Sequence, residues 1–209
     1  MDSIKDSSST THAYSRFHLK EIFNTQHELA LKYKEIEGMP DWPFDINSVE
    51  GQIWIKDFLW RIVEEVAEAL EVIDEQDLFL EELSDALHFL VEAMIISGIE
   101  SRVKFLDLEL MIKDISYRHV PGGKKNLDQI RETALEMIIA LGLVGNTLKN
   151  KKWKKTKVNT DYSLFEQRLY SAFHKLIQLF YLCDCNADDI YNIYHKKSNI
   201  NKARQKNNY

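Results

Sequence analysis

Ile55, Leu59, Ile62, Val66, Leu70 and Ile73 recur at spacings of 4, 3, 4, 4 and 3. That stripe covers one face of an α-helix and cannot lie on one face of a strand, where side chains alternate at every residue. The same period returns at Leu80, Leu83, Leu87, Leu90 and Met94. Only seven glycines and three prolines interrupt the chain, so an all-α fold is predicted. Helices are expected over roughly 15–37, 51–74, 77–97, 101–118 (the least regular), 126–148, 162–182 and 186–197. Residues 1–14 read as a disordered Ser/Thr-rich lead, "HVPGGKKN" (119–126) and "KNKKWKKTKVN" (149–159) as loops, and the segment after 197 as a polar tail.

At 209 residues one sizeable core is affordable, so residues 15–197 are expected to form a single domain. A net charge of -6 argues against broad binding to nucleic acid. Cys183 and Cys185, one residue apart, suggest neither a zinc site nor a disulfide framework, and a reduced compartment fits them. The N-terminal stretch lacks the apolar core of a signal peptide, and no apolar run reaches the length of a membrane span. A soluble protein of the cytoplasm, or of a host cytoplasm if phage-encoded, is the expectation.

Carboxylates three apart appear twice among these apolar residues. On the second helix Trp54, Phe58, Arg61, Glu65 and Glu68 form one ridge, and on the third Leu78, Glu82, Asp85 and Phe89 form another. Glu64 and Glu71 fall on the outer face, where solvation suffices. Glu65 and Glu82 stand seventeen residues apart. On one straight helix that separation is about 260° of rotation and about 25 Å of rise, so the acids would never meet. A turn near Asp74–Asp77 makes the two helices antiparallel neighbours and lets the acids face each other. Clustered carboxylates repel unless a cation neutralises them. All-oxygen ligands select Mg²⁺, with Mn²⁺ as the alternative. A solvated acidic face is the competing reading.

A second pattern links "LFLEELSDALHFLVEAMIISGIE" (78–100) with "LFEQRLYSAFHKLIQLFYLCDCN" (164–186). Aligning His88 on His174 sets Arg168 opposite Glu82 and Ser171 opposite Asp85. This suggests a degenerate internal duplication whose second copy lost its acids. Chance likeness between two amphipathic helices explains it equally well.

"EEVAE" followed by "ELSDALHF" resembles the EExxE…ExxD pattern of the all-α nucleoside triphosphate pyrophosphatases, the MazG and dimeric dUTPase superfamily. The C-terminal "YHKKSNINKARQKNNY" is similar to the tail of dimeric dUTP diphosphatases and phage dCTP/dUTP diphosphatases. Lys197, Asn201, Arg204, Gln205 and Tyr209 match that tail, whereas Ser198 and Asn208 replace its Asn and Gly. The resemblance implies Glu65, Glu68, Glu82 and Asp85 as catalytic Mg²⁺ ligands. It implies Lys197, Asn201, Arg204 and Tyr209 as contacts to phosphates and sugar. Polar and without an apolar stripe beyond Ile200, residues 198–209 are expected to be mobile without ligand; the resemblance implies that they fold over the triphosphate and that the protein is a homodimer. Gln26 lies where the family reads the pyrimidine, although Ala30 replaces the Asn expected shortly after it. His88 reads as a core histidine or as a residue orienting the ligands. In the basic loop, Lys151, Lys152, Trp153, Lys154 and Lys155 either close over a triphosphate or form a solvated surface.

The expected activity is Mg²⁺-dependent hydrolysis of dUTP, dCTP or both to the monophosphate and pyrophosphate. Rival readings are a MazG-like hydrolase of another nucleotide and a non-catalytic nucleotide-binding module. A di-iron bundle, suggested by Asp85-x-x-His88, would want its signature twice, and Ser171-x-x-His174 lacks the acid.

Overall fold

A computed structural model describes residues 18–118 and 127–206. Among them are eight helices and no strand, as the periodicity demands. The N-terminal lead and the 119–126 loop lie outside the described residues.

Helix α1, His18–Glu37, ends at Gly38, whose φ of 66° suits a residue without a Cβ. Helix α2, Val49–Glu71, opens on Ser48, whose hydroxyl accepts the Gly51 N–H at 2.9 Å. Only glycine fits at position 51, because a Cβ there would stand 2.5 Å from the Asp45 carbonyl. The predicted turn exists, over 72–75. Val72 N–H reaches the Ala69 and Glu68 carbonyls, and Glu75 N–H reaches Val72 at 2.8 Å. Helix α3, Gln76–Ile96, stops in a Schellman closure around Gly98, with Gly98 N–H on Ile95 at 3.0 Å and Ile99 N–H on Met94 at 2.9 Å.

The weak helix expected over 101–118 is two helices, α4 (Glu100–Val103) and α5 (Leu108–Arg118). Asp107 causes the break: its carboxylate takes the Glu109 and Leu110 N–H groups at 3.0 and 3.3 Å, the local bonding that favours a new helix start. Helix α6 spans Leu127–Thr147 and α7 spans Tyr162–Leu182. In the basic loop between them, Asn150 ties back to the start of α2, its backbone N–H donating to Gln52 Oε1 at 2.8 Å and its side-chain amide to the Asn47 carbonyl at 2.8 Å.

The last helix, α8, corrects the sequence reading, which stopped it at 197. It runs from Ala187 to Lys206. Asn186 and Asp189 cap its start reciprocally at 3.0 Å, and the polar residues past 197 find partners on α1. Lys202 pairs with Glu28 at 3.1 Å, and the Gln205 amide donates to the Leu29 carbonyl at 3.4 Å. A polar segment without an apolar stripe can thus remain helical where a neighbouring helix receives its side chains.

The helices assemble as two hairpins, α2 with α3 and α6 with α7, with α1 and α8 packed on each other and on α3. The predicted apolar stripe is core: Ile55, Leu59, Ile62 and Val66 on α2 and Ile73 in the turn are buried, and Leu70 is half-buried. The second half of α3 is buried all round. No described helix is long and apolar enough to cross a membrane.

Candidate active site

The hairpin turn brings the acids together. Carboxylate oxygens of Glu65 on α2 and of Glu82 and Asp85 on α3 all lie within 4.8 Å of one another, and all three residues are half-buried. Among the described residues this is the only such group of metal-ligating side chains. Glu68, one turn further along α2, is exposed and stands outside it, although its charge still acts on Glu65 and Glu82.

The cluster carries excess negative charge. Burial first, then the charges of Asp85, Glu68 and Glu82, push the Glu65 carboxyl up to about 7. Burial and Asp85 raise Glu82. Burial also raises Asp85, against the pull of Lys197. Three oxygen donors that resist simultaneous ionisation fit a hard divalent cation, which would restore all three as carboxylates.

Lys197 partly fills that need. Buried on α8, its ammonium lies 2.6 Å from Asp85 Oδ2 and 2.7 Å from Glu81 Oε1. Burial opposes its charge, but the hydrogen bonds to Asp85 and Glu81 outweigh it and raise its pKa. The residue expected at the phosphates is therefore held on the acids, through a Glu81 that sequence reading did not single out.

Beside Glu65 and Asp85 opens a cavity of about 290 Å³ between α1, α2, α3 and α8. Asn201 and Arg204 line it from α8, Leu29 and Tyr33 from α1, and Phe89 from α3. Arg61 also lines it, with its guanidinium forked onto Glu37 at 2.9 and 2.8 Å and stacked over the Phe58 ring at 4.8 Å. Gln26 belongs to the same wall. Its Oε1 accepts from the Tyr194 hydroxyl at 2.7 Å, and its amide donates to Glu92 Oε2 at 2.8 Å.

His88 is a buried histidine with both nitrogens engaged. Its Nδ1 meets the Ser84 carbonyl at 2.7 Å and so carries the proton, leaving Nε2 to accept from the Ser198 hydroxyl at 2.9 Å. Burial pushes its pKa down to about 4, and Tyr194 stacks on its face at 4.1 Å. Ser198, which replaces the Asn of the tail pattern, thus closes a buried network between α8 and α3.

The remaining expectations fall elsewhere. Lys154 is exposed and does not line the cavity; its charge is felt by Lys56, about 13 Å along α2 from Glu65. Tyr209 lies outside the described residues. Sequence reading also missed Glu92, though a signal existed: it is the only acidic or basic side chain, histidine aside, between Asp85 and Glu100.

An acid cluster at a hairpin of an all-helical protein, opening on a cavity walled by aromatic and polar side chains, is a candidate place for a hard cation beside a small polar ligand. The family model described as dUTPase matches residues 69–209, and the chain belongs to that family. The match takes in Glu82, Asp85 and all of α8 but begins beyond Glu65 and Glu68; geometry alone sets Glu65 beside the matched acids and leaves Glu68 outside the group. Family membership supports a nucleoside triphosphate diphosphatase. No curated protein and no solved structure matches the chain.

Proposed function

We propose that the protein hydrolyses a pyrimidine deoxynucleoside triphosphate, dUTP or dCTP, to the monophosphate and pyrophosphate in the presence of Mg²⁺. The observation that carries this reading is the convergence of Glu65, Glu82 and Asp85 within 4.8 Å beside the cavity.

Those three carboxylates, with Glu68 at the edge, would hold Mg²⁺, and Mn²⁺ is the natural substitute. A cation bound there supplies positive charge against the phosphate oxygens. The chain's own groups do the rest. Arg204 and Asn201 bind and orient the phosphates and sugar, the guanidinium being suited to two phosphate oxygens at once. Lys197 exchanges part of its hold on Asp85 and Glu81 for the incoming charge. Glu65 accepts the proton of the attacking water at its carboxylate; the water oxygen bonds to phosphorus as the bond to the departing phosphoryl oxygen breaks. The last turns of α8, already packed on α1, shield the phosphates from water, and Tyr209 adds a contact to the nucleotide. Lys154, remote from the cavity of its own chain, would reach a triphosphate through loop closure or from a neighbouring copy.

A homodimer completes the proposal. Leu135, Ile139 and Leu143 are exposed at four-residue steps on α6, a stripe that a second copy would cover.

The test is pyrophosphate release from each of the common ribo- and deoxynucleoside triphosphates, with Mg²⁺ and after chelation. Release from dUTP or dCTP only with the cation supports the reading. No release from any nucleotide removes it.

A further inference from the structure

Glu92 is an odd residue to find where it is. It sits among Leu90, Val91, Ala93, Met94 and Ile95 on the buried half of α3, 3% exposed. One of its oxygens is held by the Gln26 amide at 2.8 Å; the other, Oε1, is buried with no partner. A buried acceptor left unpaired is costly, and this one belongs to a residue that lines the cavity beside the acid cluster.

Among the described residues no cation pairs with it. Arg61 on α2 acts on Glu92 only at longer range, and Glu37 on α1, which opposes it, already takes Arg61 in a two-point fork. From α8, Tyr194 reaches Gln26 and not Glu92. Burial pushes the Glu92 carboxyl up to about 7.

We propose that Glu92 is the residue that reads the base, its unpartnered oxygen accepting an N–H from the edge of the pyrimidine while Gln26 holds the other oxygen in place. The inference rests on the pyrimidine triphosphate reading above and adds the determinant of its specificity. Carboxylates are natural acceptors for the amino group of cytosine, and the ring N3–H of uracil is an equivalent donor. At ring position 4 cytosine donates where uracil accepts, and at position 3 the polarities are reversed. One fixed acceptor therefore distinguishes the two bases.

The hydrogen-bond chain makes the test directional. Because the Tyr194 hydroxyl donates to Gln26 Oε1, the Gln26 amide nitrogen must face residue 92. In Glu92→Gln the new carbonyl takes that N–H, and its amide nitrogen replaces the free oxygen. An acceptor becomes a donor at one point, with almost no change in volume. Whichever of dUTP and dCTP the wild-type enzyme prefers, the variant should prefer the other.

The experiment measures kcat/KM for dUTP and dCTP with wild-type protein and Glu92→Gln, with melting curves to check folding. The expected result is a reversal of the ratio, moving it by about tenfold or more, as for a site whose polar group is mispaired. A second arm needs no variant. The wild-type enzyme is given the deoxynucleoside triphosphate of pyrimidin-2-one, whose ring has no N–H at position 3 or 4, and should use it about tenfold or more less efficiently than the preferred substrate. An active wild-type enzyme that treats this analogue like its preferred substrate, or a ratio unchanged in a folded Glu92→Gln, overturns the assignment and leaves the hydrolase reading standing. A wild-type protein that splits no triphosphate overturns both.

Discussion

The Glu65 carboxyl, held up at about 7 by burial and by Asp85, Glu68 and Glu82, gives the site a measurable signature. An acid whose pKa is higher in the folded than in the unfolded chain costs the fold stability as pH rises from the unfolded value through the folded one. Without divalent cation, Glu65→Gln should therefore melt at the same temperature as wild type at pH 4 and higher at pH 8; with Mg²⁺ it should lose turnover altogether. Asp85→Asn should also lose turnover. Near-normal rates in either variant at saturating Mg²⁺ would remove that residue from the ligand set. Glu92 obeys the same sign. With its carboxyl raised to about 7 and its side chain buried, Glu92→Gln should gain stability above pH 7, by up to the order of 3 kcal/mol, in denaturant titrations across pH. His88 runs the other way: a histidine held at about 4 takes stability from the fold as pH falls from about 6.5. At this scale the sequence was informative where chemistry repeats. Paired carboxylates at helical spacing marked the acids, but nothing local could show that Glu81 and Lys197, 116 residues apart, would meet. Gln26 and Glu92 meet across 66.

Helix boundaries were legible wherever a side chain or a glycine writes them. Ser48 and Gly98 do so, and each has a testable cost. Ser48→Ala removes the cap on Gly51 and should destabilise by about 1 kcal/mol. Gly98→Ala forces an L residue to φ of 77° and sets a Cβ 3.2 Å from Pro43, with an expected loss of about 1 kcal/mol or more. Equilibrium unfolding reads both, and values near zero would show that α2 and α3 do not depend on these ends. The C-terminal helix was misjudged for a physical reason. Its last turns have no apolar face, and their helicity depends on α1, which receives Lys202 and Gln205. Because such exposed pairs are worth little, truncation after Ser198 should cost less than about 1 kcal/mol of stability. The same truncation removes Asn201 and Arg204 and should raise KM and lower kcat together. Unchanged kinetics would show that the tail takes no part.

For the whole molecule, the fold class followed from composition and period alone, since few glycines and prolines interrupt the stripes. The alike segments 78–100 and 164–186 fall on α3 and α7, the second helices of the two hairpins. The cavity was not legible, because α8, remote in the chain from α1, α2 and α3, supplies one of its walls. A cation that binds only the folded cluster must stabilise it by mass action. Millimolar Mg²⁺ should raise the melting temperature of wild type and leave Asp85→Asn unmoved. Ile139→Lys, on the exposed stripe of α6, should turn a dimer into a monomer by light scattering, and a wild-type monomer would contradict the proposed assembly. The most direct measurement is ³¹P NMR of dUTP and of dCTP incubated with the protein, with Mg²⁺ and again after chelation. At least one is expected to be converted to monophosphate and pyrophosphate, only when the cation is present. Diphosphate and orthophosphate as products, turnover that survives chelation, or no turnover of either nucleotide would contradict it.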